Sequence, residues 1–162
     1  MAKRSAPRRR AARKVPPVRP AAAQTKLRYI ESSGLVAALL ERDTAVVKKV
    51  PRGTQLVTSA LTLAEAGRAL IRARATGRLT AAEEQAAVRA LRTFDRRCFI
   101  LNVDRAVLER VRRRFPVEPI RTLDAVHLAT AELLGEPPPL VTIVTRDARV
   151  RENAKALGYT VE

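Results

Sequence analysis

Residues 28–42 read RYIESSGLVAALLER. The apolar letters before Glu31 predict the end of a strand over 26–30, and the letters after it predict a helix over 32–43. Either Ser32 or Ser33 could cap the first amides of that helix. The carboxylate at this junction either faces water or lies at the sheet edge where α/β proteins build their sites. The second interpretation requires further carboxylates at the same edge.

From Lys26 onward, strand patterns and helix patterns alternate along the chain. Short runs rich in β-branched residues predict further strands at 54–59, 98–103 and 140–145, with 159–162 as a candidate fifth strand. Amphipathic stretches predict further helices at 60–77, 80–97, 104–115, 122–135 and 147–158. Strands separated by helices predict a mostly parallel sheet flanked by helices, in a three-layer α/β domain over residues 26–162.

Local signals add detail to these elements. Thr80 and Glu83 have the spacing of a capping box at the start of the helix over 80–97. The preceding helix is predicted to have one apolar stripe, formed by Leu63, Ala66, Gly67, Leu70 and Ile71. Cys98 falls in the strand over 98–103, where a buried small hydrophobic role is expected.

The composition excludes several classes of protein. The chain has 162 residues, enough for one domain with a sizeable core, and 46% of them are hydrophobic but only 3% aromatic. So few aromatic residues argue against base stacking as the main binding mode. A single cysteine excludes an internal disulfide framework and fits a reducing compartment. No apolar run approaches the roughly 20 residues that span a membrane, so we expect a cytoplasmic protein without membrane segments.

The net charge of +16 is concentrated near the N-terminus. Residues 1–28 hold ten of the 32 lysines and arginines and no acid, which leaves +6 for the remainder. Several prolines interrupt this stretch, so residues 1–25 are predicted to form a disordered basic arm. Such an arm can contact nucleic-acid phosphates in a salt-dependent way. A solubilising tail, or a true start farther downstream, would explain it equally well.

Four carboxylates are placed where a shared site would need them. Glu31 ends the first strand, and Asp147 follows the strand at 140–145. Asp124 lies in the first turn of the helix at 122–135, and Glu65 lies on the helix after the second strand. Each has an ordinary alternative, namely solvation, a same-helix ion pair or a position at a helix N-terminus. Together they predict an acidic site at the carboxyl edge of the sheet.

Carboxylates that crowd together repel one another unless a proton or a cation neutralises them. All-oxygen ligand sets suit Mg²⁺ or Mn²⁺, and such ions hold phosphates and polarise a water molecule. A basic protein with an acidic site therefore has the charge distribution expected of a metal-dependent nuclease. No phosphate-binding glycine loop occurs in the sequence, which argues against a nucleotide-dependent enzyme.

Four blocks of the sequence resemble, in their order, the motifs of PIN-domain proteins, and above all those of the toxin ribonucleases of VapBC-type toxin–antitoxin pairs. The resemblance covers about residues 28–162 and leaves the basic arm outside it. It implies a five-stranded parallel sheet between helices and a Mg²⁺- or Mn²⁺-dependent endoribonuclease that cuts RNA. The blocks are YIESSGLVAALL, LVTSALTLAEAGRAL, TLDAVHLATA and IVTRDARVRENAKALG.

The resemblance also implies roles for the four acids. Glu31 and Asp124 match the principal metal ligands of the family, whereas Glu65 and Asp147 match acids that complete the cluster directly or through water. The family usually has Asp where this chain has Glu31, and the extra methylene extends the carboxylate by about 1.5 Å. That change either is accommodated by the site or weakens metal binding.

Three further side chains lie near the implied site. Ser33 and Thr145 match positions where family members orient metal-bound water with a hydroxyl, although helix capping and ordinary strand-end contacts are the alternatives. His127 follows Asp124 by three residues on the same helix face, and we interpret it as a packing residue rather than a site residue.

The resemblance further implies a homodimer and an inhibitory antitoxin that reaches into the acidic site. Two other kinds of function remain open on the sequence. One is a catalytically weak PIN-like module that binds RNA or a protein, and the other is a DNA-associated regulatory protein anchored by the basic arm. No helix-turn-helix or zinc-finger spacing supports the DNA-associated alternative.

Overall fold

The computed structural model describes residues 25–41, 43, 50–51 and 53–162. The basic arm predicted for residues 1–25 therefore lies outside the described residues, apart from Thr25, and it stays a prediction. Within the described ranges, no helix is both long enough and apolar enough to cross a membrane.

Strands and helices alternate along the described chain, as the sequence predicts. The strands are β1 (Lys26–Ile30), β2 (Thr54–Ser59), β3 (Phe99–Leu101), β4 (Val141–Val144) and β5 (Thr160–Val161). The α-helices are α1 (Ser32–Leu40), α2 (Ala60–Ala75), α3 (Ala81–Arg97), α4 (Arg105–Val111), α5 (Thr122–Glu132) and α6 (Ala148–Ala156).

The five strands form one sheet in the order β3-β2-β1-β4-β5, and every neighbouring pair is parallel. The chain leaves β1 toward β2 on one side and later returns to β4 on the other side. The strand order therefore reverses between β1 and β4, and in open α/β sheets ligands bind at such a switch point. The predicted parallel sheet is confirmed, and 159–162 does supply a fifth strand.

Helices cover both faces of the sheet and give the predicted three layers. Tyr29 and Ile30 are consecutive in β1, so their side chains point to opposite faces. Tyr29 packs in a cluster with side chains of α4, α5 and α6. Ile30 packs in a second cluster with side chains of α1, α2 and α3. The two faces therefore have separate apolar cores.

Helix α4 ends at Val111, whereas the sequence pattern predicted helix as far as Phe115. Beyond the helix, the Glu118 carboxylate accepts the backbone N–H groups of Phe115 at 3.0 Å and Ile120 at 2.9 Å. These two hydrogen bonds lower the pKa of Glu118. The Phe115 ring is buried, and the Arg110 guanidinium lies 3.9 Å from its centroid. Side-chain contacts thus replace the last helical turn.

The other local predictions have mixed outcomes. The capping box is confirmed, because the N–H of Glu83 donates to the Thr80 hydroxyl at 3.3 Å and the N–H of Thr80 donates to the Glu83 carboxylate at 2.9 Å. On the predicted stripe of α2, Ala66 and Leu70 are buried, whereas Ile71 is 51% exposed. Cys98 lies at the end of α3 rather than inside β3 and is only half-buried, and burial raises the pKa of its thiol to about 12.

Gly34 permits the close approach of α1 to the end of β4. A Cβ atom at this position would lie 2.9 Å from the carbonyl oxygen of Val144, a backbone atom that cannot rotate away. We therefore expect Gly34→Ala to lower the free energy of unfolding by about 1–3 kcal/mol, despite the better helix propensity of alanine.

Gly67, in α2, is the matched control because a Cβ there would meet no atom within 4 Å. Gly67→Ala should raise the free energy of unfolding by about 0.5–1 kcal/mol. Urea unfolding of both variants measures the difference, and a Gly34→Ala variant as stable as the parent would contradict the predicted clash.

Candidate active site

Glu31 lies at the switch point of the sheet, directly after β1. Its backbone N–H donates to the carbonyl oxygen of Val144 at 3.0 Å, which continues the pairing of β1 with β4 by one residue. The residue is only 3% exposed. A carboxylate held this deeply needs hydrogen-bond donors around it, because an uncompensated buried charge is costly.

Three neighbouring residues supply the donors to Glu31. Its Oε2 accepts the N–H of Ser33 at 3.0 Å, the hydroxyl of Thr145 at 2.8 Å and the hydroxyl of Ser33. Its Oε1 accepts the hydroxyl of Ser32 at 2.5 Å. Glu31 itself is therefore the N-cap of α1, and the expected cap by Ser32 or Ser33 is wrong. The longer arm of glutamate reaches from its own helix terminus to Thr145, beyond the end of β4.

Ser33 and Thr145 connect Glu31 to the start of α6. The Ser33 hydroxyl accepts the N–H groups of Arg146 at 2.7 Å and Asp147 at 3.1 Å. The Thr145 hydroxyl accepts the N–H of Asp147 at 3.0 Å. Both hydroxyls thus contact the Glu31 carboxylate and the start of α6, and a role in orienting metal-bound water stays a prediction.

Asp147 is the N-cap of α6. Its Oδ1 accepts the N–H groups of Arg149 at 2.8 Å and Val150 at 3.1 Å. The ordinary alternative considered for this residue, helix capping, is therefore present in the structure. It is compatible with a site role, because both of these hydrogen bonds end on the same oxygen.

Glu65 projects from α2 and pairs with a residue of another helix. Its Oε2 lies 2.7 Å from Nε2 of His127, on α5. Burial favours a raised pKa for Glu65, but the hydrogen bond and charge of His127, together with Ser32, outweigh it and lower the pKa. Glu65 therefore carries its charge readily, held by a histidine rather than by a cation of its own helix.

His127 lies beside two of the candidate acids, although the sequence interpretation assigned it to packing. It is 2% exposed, and its Nε2 also lies 3.6 Å from Oε1 of Glu31. Its Nδ1 lies 3.3 Å from the hydroxyl of Tyr29. The available signal was its spacing of three residues from Asp124, which places both on one face of α5.

Asp124 is the least satisfied acid of the group. It lies in the first turn of α5, and its Oδ2 is buried without a hydrogen-bond partner in the described part of the chain. Burial raises the pKa of Asp124, and the nearby charges of Asp147 and Glu31 raise it further. The attraction of Arg121 and His127 only partly opposes these effects. The carboxylate is therefore in a setting that favours a proton or a cation.

The donor set has the chemistry of a divalent-cation site, although its ligands are not gathered in advance. Carboxylate and hydroxyl oxygens are the ligands that Mg²⁺ and Mn²⁺ prefer, and the unpaired Oδ2 of Asp124 is the kind of atom that a cation would satisfy. As they stand, no three His, Cys, Asp or Glu side chains of the described residues form a metal-holding group. Glu31, Ser33 and Thr145 are joined by hydrogen bonds, and Glu65 approaches them through His127. Asp124 interacts with Asp147 and Glu31 through charge.

Comparison with known proteins gives a consistent result. A family model described as PIN domain matches residues 28–156. Ribonuclease VapC46 of Mycobacterium tuberculosis (strain ATCC 25618 / H37Rv) is 38% identical over 135 residues, which are 82% of this chain and 94% of that protein. Ribonuclease VapC35 of Mycobacterium tuberculosis (strain CDC 1551 / Oshkosh) is 37% identical over 139 residues, which are 82% of this chain and 93% of that protein.

Solved structures show the same fold at lower identity. PAE2754 from Pyrobaculum aerophilum superposes with a TM-score of 0.54 at 24% identity, over 85% of this chain and 84% of that chain. VapBC2 from Rickettsia felis, bound to a DNA fragment from its promoter, superposes with a TM-score of 0.60 at 13% identity, over 84% of this chain and 97% of that chain. At these identities the likeness concerns the arrangement of the backbone.

Proposed function

The chain belongs to the PIN domain family, and from this premise we propose that it is a metal-dependent endoribonuclease and the toxin of a toxin–antitoxin pair. Two relatives that it matches over most of their length are named ribonucleases. The observation that carries the proposal is the buried, unpaired Oδ2 of Asp124 beside two further acids at the switch point of the sheet.

In this proposal four acids bind a divalent cation, Mg²⁺ or Mn²⁺. Asp124 and Glu31 are the principal ligands, and Glu65 and Asp147 complete the set directly or through water. When bound, such an ion supplies charge neutralisation at the scissile phosphate and makes a water molecule more acidic.

In this proposal, side chains around the acids orient a carboxylate and bind phosphates. Ser33 and Thr145 hold the Glu31 carboxylate in one orientation. Arg121 and Arg149 are exposed at the N-terminal ends of α5 and α6, beside Asp124 and Asp147. Arginines in that position can bind the phosphates on either side of the cleaved bond. The net charge of +16 attracts RNA to the chain as a whole.

The proposal predicts that cleavage depends on a divalent ion. The full chain should cut structured RNA in Mg²⁺ or Mn²⁺ and lose at least about 100-fold in rate when EDTA removes the ion, because such ions contribute several kcal/mol to phosphoryl-transfer barriers. Gel analysis of end-labelled RNA measures the rate. Restoring the ion in excess over EDTA is the control, and equal cleavage in EDTA would contradict the proposal.

The same proposal includes partners and a compartment. We propose a cytoplasmic protein, a homodimer, and a cognate antitoxin that inhibits it by placing a cationic side chain against the acids. An arginine would suit this role, since its guanidinium pairs with carboxylates through two hydrogen bonds. Contact between the basic arm and nucleic acid remains a separate prediction.

One observation favours a second candidate, a PIN-like module that binds RNA or a protein with little cleavage. Both oxygens of Glu31 are already engaged by hydroxyl or amide donors. If these contacts persist in the cation complex, Glu31 contributes little to metal binding. RNA affinity that is unchanged by EDTA, together with no cleavage in Mg²⁺ or Mn²⁺, would favour this candidate.

A further inference from the structure

His127 has contacts that a packing role does not explain. It is the single histidine of the chain and lies on α5, with 2% of its surface exposed. Nε2 lies 2.7 Å from Oε2 of Glu65 and 3.6 Å from Oε1 of Glu31, and Nδ1 lies 3.3 Å from the Tyr29 hydroxyl. The ring thus connects acids that come from two different elements of the fold.

The partners of the ring determine where it carries a hydrogen atom. An ionised carboxylate only accepts hydrogen bonds, so the contact with Glu65 requires a hydrogen on Nε2. The Tyr29 hydroxyl both donates and accepts, so it suits Nδ1 in either charge state of the ring. With partners on both nitrogens, the imidazole cannot rotate or flip without losing a buried hydrogen bond.

Glu65 and Glu31 are like charges that converge on one place from α2 and from the end of β1. Without a donor between them, repulsion would drive the side chain of Glu65 outward, because 27% of it is already exposed. Glu31 is anchored by its hydroxyl and amide donors, whereas the hydrogen bonds recorded for the Glu65 carboxylate involve His127 and Ser32. The position of Glu65 therefore depends strongly on the histidine.

We propose that His127 is a positioning residue, which holds Glu65 beside Glu31 through its Nε2–H so that both carboxylates meet one divalent cation. This inference rests on the proposed function, since it assumes that the acids bind such an ion. Hydrogen-bond partners behind metal ligands typically change metal affinity by about 10–100-fold.

Two substitutions separate positioning from packing. In His127→Gln the side-chain amide can still donate to Glu65, whereas in His127→Asn the shorter amide reaches only toward Tyr29. We expect His127→Asn to weaken Mn²⁺ binding about tenfold or more, and His127→Gln to stay within about threefold of the parent chain. Mn²⁺ binding to the full chain without RNA is measured by electron paramagnetic resonance, and thermal unfolding reports any general loss of structure.

A second measurement needs no substitution of His127. Because the chain has one histidine, ¹⁵N-histidine labelling gives the spectrum of this ring alone. We expect the proton on Nε2 and a shift of the Nε2 resonance on adding Mg²⁺ or on substituting Glu65→Gln. The inference would be overturned by a proton on Nδ1 alone, or by an Nε2 resonance that shifts neither with Mg²⁺ nor in Glu65→Gln. This test holds even if the His127→Asn variant does not fold.

The outcomes distinguish this inference from the proposed function. If the parent chain binds Mn²⁺ and a folded His127→Asn variant binds it equally well, His127 only packs, and the nuclease proposal stands. If the parent chain binds no Mn²⁺ and cuts no RNA, both proposals fail. Selective loss of affinity in His127→Asn, with affinity retained in His127→Gln, supports the positioning role.

Discussion

Asp124→Asn should reduce RNA cleavage by at least about 100-fold, because it removes the charge of the acid that we propose as a principal cation ligand. The substitution preserves the size of the side chain, so a loss of activity reports on charge and ligation. Asp95→Asn is the matched control because Asp95 is exposed on α3. This variant should cut RNA at the parent rate. A fully active Asp124→Asn variant would contradict the assignment.

The same substitution should make the metal-free protein more stable. The raised pKa means that the folded chain holds the Asp124 proton more tightly than the unfolded chain does. The stability contributed by this group is therefore present at low pH and is lost as the pH rises from the unfolded to the folded pKa, so the ionised carboxylate costs stability at neutral pH.

Thermal unfolding in EDTA tests this expectation. Asp124→Asn should have a higher melting temperature than the parent chain at neutral pH. The difference between the two melting temperatures should narrow as the pH falls toward 3.8, the ordinary aspartate pKa. Added Mg²⁺ should stabilise the parent chain more than the variant, because the variant has lost one of the two principal ligands. An acid retained for function at the expense of stability is a common trade-off at functional sites. A variant that melts below the parent at neutral pH would show that Asp124 has a stabilising partner.

Glu31→Ala should abolish cleavage and lower the free energy of unfolding by about 3 kcal/mol or more, because buried donors left without an acceptor cost about 1–3 kcal/mol each. The affected groups are the hydroxyls of Ser32, Ser33 and Thr145 and the N–H of Ser33. The cap of α1 is lost as well. Urea unfolding and the RNA cleavage assay measure the two effects.

Glu31→Asp is the informative control for this position. It preserves the charge but shortens the arm by about 1.5 Å, which should release Thr145 while keeping the helix cap. We expect a loss of about 1 kcal/mol in the free energy of unfolding, since one hydrogen bond is affected. Cleavage by Glu31→Asp without cleavage by the parent chain would show that glutamate disables the site. An Ala variant as stable as the parent would mean that the donors find other acceptors.

The elements of the fold could be predicted because their signals are local. Strand β2 has the predicted bounds, and the capping box of α3 depends on two residues only three positions apart. Helix ends were less predictable where a side chain replaces the helical hydrogen bonds, as Glu118 does after α4. The helix predicted over 80–97 ends where α3 ends, at Arg97, whereas the strand predicted over 98–103 is longer than β3, which runs only from Phe99 to Leu101.

The candidate site, too, could be predicted only in part from the sequence. The sequence identified four candidate acids, three of them at strand ends or helix starts and Glu65 within α2, since those positions follow from the alternation of elements. It did not identify Glu31 as the cap of α1, because serines compete for that position and the deciding partner, Thr145, lies 114 residues away. It also assigned His127 to packing, because its partner Glu65 lies 62 residues away on another helix.

By itself, therefore, the sequence determined the α/β architecture, the parallel sheet and the residue types available at its carboxyl edge. These depend on hydrophobic periodicity and on helix and strand signals within a few residues. Only the tertiary structure decided that β1 and β4 are neighbours, which carboxylates share donors and which oxygen of Asp124 is left unpaired. Those features depend on strand order and burial, and such contacts join residues that are distant along the chain.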